Sequence, residues 1–150
     1  MTLQPKPHGT KMFDAVGFGL NMTDILAVVD GHPPPGSKVP LQAVRIRPGG
    51  QAATAMTAVC RLGWTAGYVG RFGDDPHGVA GRASLERVGV DVSGSTTVAG
   101  ATNGLSIILV DRTSGQRTVM WSRHAGLKMT ARDVDPVSYT HLTLPTKRIV

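Results

Sequence analysis

The stretch that most restricts what this chain can fold into runs from Gly49 to Gly78, GGQAATAMTAVCRLGWTAGYVGRFGDDPHG. Two adjacent glycines precede an alanine-rich segment in which Ala52, Ala55, Met56, Val59 and Leu62 recur at three-, four- and seven-residue spacing. That period predicts one amphipathic helix over Gln51 to Leu62, with Gly63 as its C-terminal stop. Gly67 to Phe72 then reads as a strand, Gly73-Asp-Asp-Pro-His-Gly78 as a turn, and Val79 to Val88 as a second helix ending near Gly89. Helices alternating with apolar strands argue for a parallel sheet covered on its faces, an α/β fold.

The flanks add strands. Phe13 to Leu20 is a short apolar run with embedded glycines, and Ile25 to Val29 is a second one, with Asp24 between them at an expected strand end. His32-Pro-Pro-Pro-Gly36 is a loop by composition, Val39 to Ile46 alternates as a half-exposed strand, and Pro48-Gly49-Gly50 breaks the chain. Asn103 to Val110 and Arg117 to Trp121 are expected to form a hairpin, and Thr130 to cap a helix over 130–135. Residues 1–11, with Pro5, Pro7 and Gly9, are expected to be a flexible tail.

Charge and composition exclude several partners. The formal charge of +6 invites a nucleic-acid reading, but Lys6, Lys11, Lys147 and Arg148 lie near the ends, and setting those four aside leaves +2. The remaining arginines are scattered among aspartates and aromatic content is 5%, so a basic stripe with stacking rings is absent and no nucleic-acid partner is expected. No run reaches the roughly 18 apolar residues of a membrane helix, and no secretory h-region follows Met1, so no membrane partner is expected. A single cysteine, Cys60, allows no internal disulfide and fits a cytoplasmic location, where it reads as a small buried hydrophobe.

The chemistry-bearing candidates are few. Gly49 and Gly50 let a ligand approach the backbone at a helix start, where unpaired N–H groups and partial positive charge suit hydroxyls or an anion; a tight turn alone would use the same residues. Asp24 can accept two hydrogen bonds from neighbouring hydroxyls, or can cap a turn. Gly17-Phe-Gly19 resembles the start of a dinucleotide fingerprint, but Met22 stands where the third glycine belongs and β-like residues follow. Asp74, Asp75 and His77 read as a structural turn rather than a metal set, and His124 has no partner identifiable from sequence.

Taken together these residues resemble the ribokinase-like (PfkB) carbohydrate kinases, over residues 13–136. The glycine pair with Gly63 and Gly73 matches the spacing of that family's first signature, and Gly73-Asp74-Asp75 looks like its Gly-Asp-Asp turn. VGFGLNMTD at 16–24 looks like its first strand with the substrate aspartate, and TNGLSIILVDRTSGQRTVMW at 102–121 like its substrate-facing hairpin. The resemblance implies the N-terminal part of a three-layer α/β/α fold with a small β lid formed by about 25–47 and 102–121. It implies phosphoryl transfer from ATP, with Mg2+, to a hydroxyl of a small-molecule sugar or polyol, and a homodimer through the lid. The implied substrate residues are Asp24, the Gly49-Gly50 backbone, Gln51 and Thr54, with Asn21 beside them; the signature asparagine falls at Thr54, which leaves the sugar open. The family's general base comes from a C-terminal Gly-Ala-Gly-Asp that this sequence does not contain, so no catalytic residue is nominated.

Val137 to Thr146, VSYTHLTLPT, back-translates with one choice of codons to a string that resembles the transposase adapter of short-read sequencing libraries. Residues 137–150 are therefore expected to be translated adapter, and 12–136 an incomplete and inactive portion of the domain. Two other functions stay open: a non-catalytic sugar-binding or dimerisation module on the same half-fold, and a nicotinamide-dependent oxidoreductase resting on Gly17 and Gly19. The kinase reading carries one geometric condition: Asp24 and the Gly49-Gly50 helix tip must converge on one shared polyol pocket.

Overall fold

The computed structural model describes residues 13–130 and Asp133. In chain order they form β1 (Ala15–Phe18), β2 (Met22–Val29), β3 (Ala43–Gly49), α1 (Gln51–Arg61), β4 (Ala66–Val69), β5 (Arg71–Gly73), α2 (Pro76–Arg87), β6 (Thr96–Val98), β7 (Leu105–Asp111) and β8 (Arg117–Ser122). The tail expected at 1–11, the stretch at 137–150 and most of the helix expected at 130–135 lie outside the described residues.

β1 and β4 pair in parallel, and Asp91 extends that sheet by bridging to Gly67. α1 packs over this pair. Its buried face is Ala53 and Met56, with Ala52, Val59 and Cys60 partly buried, so the helix is rotated from the expected face; Ala55 and Leu62 are exposed. Two contacts set the rotation. Met56 occupies the space that Gly17 leaves, since a Cβ there would sit 2.5 Å from Met56 Cγ, and Ala53 N–H donates to Leu20 O at 3.3 Å. The core closes with Ala66, Tyr68, Phe72, Leu85, Val90 and Val92.

The strand expected over 67–72 is two strands. Ser95 causes the break: its hydroxyl donates to Tyr68 O at 2.8 Å and accepts from Gly70 N–H at 3.1 Å, and β5 then takes β6 as its parallel partner. β6 was not foreseen in the sequence. α2 begins three residues earlier than its apolar period indicates, because Asp75 accepts from Gly78 N–H at 2.9 Å and Pro76 fills a first-turn position that needs no N–H. Asp74 accepts from Gly100 N–H at 2.8 Å, which gives the Asp-Asp turn a structural role at both residues. Gly73 and Gly78 face each other too closely for a Cβ on Gly78, which would overlap Gly73 O.

The remaining strands form a separate four-stranded sheet in the order β3-β2-β7-β8, with β2 and β7 parallel and a hairpin partner outside each. β3 runs through Pro48 to Gly49, beyond the break expected at Pro48; Pro48 is tolerated because β3 is an edge strand. Side-chain alternation gives the sheet two unlike faces. One row across the four strands is Ile46, Ile25, Ile107 and Met120; the next, on the opposite face, is Arg47, Asp24, Ser106 and Trp121.

Asp111 ends β7 and organises the hairpin loop. The hydroxyl of Ser114 and the N–H groups of Thr113 and Gly31 bond its carboxylate, holding it down at about 2, below the ordinary carboxylate range. A depressed folded-state value stabilises the fold above the unfolded value, and that stability is lost as pH falls from near 4 towards 2. Asp111→Asn is accordingly expected to lower the thermal unfolding midpoint at pH 7, with the difference from wild type closing by pH 2 in pH-resolved unfolding curves.

Candidate functional site

β3 delivers Gly49 and Gly50 to the start of α1. Gly50 has φ 94° and ψ 134°, and a Cβ there would meet Leu20 O at 2.5 Å and Asn21 Cα at 2.6 Å. The chain passes this point only without a side chain. Thr54 N–H donates to Gly50 O at 2.9 Å and starts the helix; no side chain caps its N-terminus and no acidic residue lies in its first turn. The positive end of α1 is thus left unneutralised by its own sequence.

Asp24 lies inside β2, not beyond a strand end as the sequence indicated, because β2 begins at Met22. Its register partner on β3 is Arg47, and its half-buried carboxylate lies over Gly49, where an added Cβ would overlap Oδ2. Ser106 Oγ donates to Asp24 Oδ1. That bond orients the carboxylate, and Oδ2 packs against the glycine. The carboxylate thus lies against Gly49, next to the start of α1.

Asn21 is built into the scaffold. It is 6% exposed, and its Nδ2 donates to Arg71 O at 2.9 Å and Tyr68 Oη at 3.2 Å. Tyr68 donates in turn to Gly19 O at 2.8 Å, and burial pushes its hydroxyl up to about 12, so it stays protonated. Two buried side-chain atoms have no partner among the described residues, Asn21 Oδ1 and, elsewhere, Asn103 Nδ2.

A cavity of about 550 Å³ opens between α1 and α2, within the usual range for small-molecule sites. Asn21, Gly49 and Thr54 line it, whereas Asp24, Gly50 and Gln51 do not; Asp24 abuts it through Gly49, and Gln51 is exposed at the helix tip. Arg47, Ser106 and Trp121 were not singled out in the sequence. A lone serine at a buried position of the apolar run LSIILV was the one available signal for Ser106. Gly19 leads into β2 rather than a helix, contrary to a dinucleotide fold, and His124 Nδ1 accepts from Gly126 N–H at 3.1 Å to cap a short turn.

Among the described residues no helix is long and apolar enough to cross a membrane, and no three His, Cys, Asp or Glu cluster to hold a metal ion. The carboxylate, the arginine and the helix start offer hydrogen-bond acceptors and donors side by side, which suits hydroxyl groups.

A family model described as pfkB family carbohydrate kinase matches residues 12–143. The chain is 35% identical over 114 residues to fructokinase-1 of Oryza sativa subsp. japonica, covering 76% of this chain and 34% of that protein. It is 34% identical over 88 residues to an ATP-dependent ribose-1-phosphate kinase of Halopiger xanaduensis, covering 59% of this chain and 30% of that one. The crystal structure of a candidate ribokinase from Agrobacterium tumefaciens superposes with a TM-score of 0.73 at 31% identity, covering 82% of this chain and 40% of the other. The chain thus spans about a third of the length of the curated relatives it matches.

Proposed function

The chain belongs to the pfkB family of carbohydrate kinases, and from that premise we propose that the intact protein transfers the γ-phosphoryl group of ATP to a hydroxyl of a sugar or related polyol. The observation that carries the reading is the contact of Asp24 with Gly49 beside the start of α1, which no side chain caps. In this reading Asp24 Oδ2 accepts from acceptor hydroxyls, and Ser106 holds the carboxylate in place. Backbone N–H groups at Gly50 and Gln51, with the Thr54 hydroxyl, bind the far side of the sugar. Positioning of this kind is most of what a protein contributes to phosphoryl transfer.

ATP supplies the transferred group and Mg2+ its charge compensation; we assign neither to a residue of this chain, whose part is to bind and orient the acceptor. The four-stranded sheet acts as a lid whose Asp24 face covers the acceptor and excludes water. Its opposite face, with Ile46, Ile107 and Met120 exposed, favours pairing of two lids in a homodimer. The same face would serve a non-catalytic dimerisation module equally well, so it does not separate these two readings. The single cysteine keeps a cytoplasmic location as the natural reading.

The names of the relatives leave the acceptor open between a free sugar and a sugar phosphate. The full-length gene product, assayed for ADP release over a panel of sugars, is expected to consume ATP only when an acceptor is present. ATP left intact with every acceptor, together with tight NADH binding, would instead support the oxidoreductase.

A further inference from the structure

We propose that the acceptor is a polyol carrying a negatively charged group, and that Arg61 and Arg87 hold this group at the far end of the cavity between α1 and α2. The proposal rests on the acceptor site assigned above. Arg47, Arg61 and Arg87 all line the cavity, and its lining includes no Asp or Glu. None of the three guanidinium groups makes an ion pair or hydrogen bond among the described residues, whereas those of Arg71, Arg82 and Arg112 are paired with Asp133, Glu86 and Asp30.

A cation in the last turn of a helix is favourable by itself, and Arg61 and Arg87 occupy the last turns of α1 and α2. That accounts for each singly. It does not account for both bordering one cavity that no Asp or Glu lines, with Arg47, which faces Asp24 across the strands, on its β3 side. Arginine is also the side chain best shaped for carboxylate and phosphate oxygens.

The polyol part of the ligand follows from an independent feature. Asn21 lines the same cavity, and its buried Oδ1, without a partner among the described residues, lies 3.8 Å from where Gly81 would carry a Cβ. A buried carbonyl oxygen in this state is costly until a donor reaches it, and a sugar hydroxyl is such a donor. Arg61 lies seven residues beyond Thr54, about 10 Å along the helix axis. An acceptor seated at Asp24 and Gly49 reaches it with a terminal acid group and the length of the arginine side chain.

Arg61 and Arg87 are exposed, so replacing them leaves the core intact. The test uses the full-length protein and matched probes: fructose with fructose 6-phosphate, ribose with ribose 5-phosphate, and gluconate for a carboxylate. At least one anionic probe is expected to exceed its neutral partner in kcat/KM by about tenfold, mainly through KM. The R61Q/R87Q variant is expected to erase that ratio and R61K/R87K to retain most of it. A wild-type preference for the neutral probes, or a ratio unchanged in R61Q/R87Q, overturns the proposal. If no probe is phosphorylated, the kinase reading fails by itself, and calorimetry with the same probes decides the cavity. Binding of an anionic probe that R61Q/R87Q abolishes supports it, and binding that does not distinguish the charged from the neutral probes, or none at all, overturns it.

Discussion

Replacing Gly50 with alanine is expected to lower the unfolding free energy by about 4 kcal/mol. Two penalties add at this residue. Its backbone, at φ 94° and ψ 134°, borders a region that only glycine populates freely, and a side chain there costs on the order of 1–3 kcal/mol. The new Cβ would also press on Leu20 O and the Asn21 backbone, at 2.5 and 2.6 Å. Those are main-chain atoms that no rotamer change can move, and forcing them apart costs roughly another 1–3 kcal/mol. A domain with about 5–15 kcal/mol of total stability loses a large share of it. Gly63→Ala is the control: Gly63 has φ 86° with nothing within 4 Å of the added Cβ, so only the conformational penalty of about 1–2 kcal/mol applies. Urea unfolding of both variants measures the difference, and equal losses would mean that the crowding at the helix tip carries no energy.

The sequence made this tip legible because its signals are local. Two glycines, a helical period and a glycine stop lie within fifteen residues, and their consequence is an α1 that begins at Gln51. The sense of rotation of that helix was not legible. Alanine stands on several of its faces, so the apolar period tolerates more than one orientation, and the contact that chooses, Met56 against Gly17, joins distant parts of the chain. Asp24 was legible as a candidate but misplaced, since a carboxylate inside an apolar run reads as a strand end until β3 and β7 are known to flank it. Ser106, which orients that carboxylate, lies 82 positions away from it, and no local pattern reports such a partner. β6 has three residues and pairs only with the three of β5, so its existence depends on the tertiary contact rather than on any period of its own.

The second large effect is on activity. Asp24→Asn keeps the shape of the side chain and an oxygen for Ser106, but removes the charge from the atoms above Gly49. Hydrogen bonds to a charged group contribute about 1.5–3 kcal/mol, which corresponds to a loss of roughly 10- to 150-fold in kcat/KM for the acceptor. The KM for ATP is expected to stay unchanged, because Asp24 touches only the acceptor in this account. Ser106→Ala is expected to give a smaller loss in the same parameter, since it leaves the carboxylate charged but free to turn.

The most direct measurement pairs Asp24→Asn with deoxy analogues of the best acceptor. If Asp24 bonds a particular hydroxyl, the analogue lacking that hydroxyl has already lost the interaction, and the substitution then changes kcat/KM by no more than about twofold. A penalty of the same size for the parent sugar and for every deoxy analogue would contradict direct contact between Asp24 and the acceptor, and with it the pocket built from this carboxylate and the glycine-opened helix.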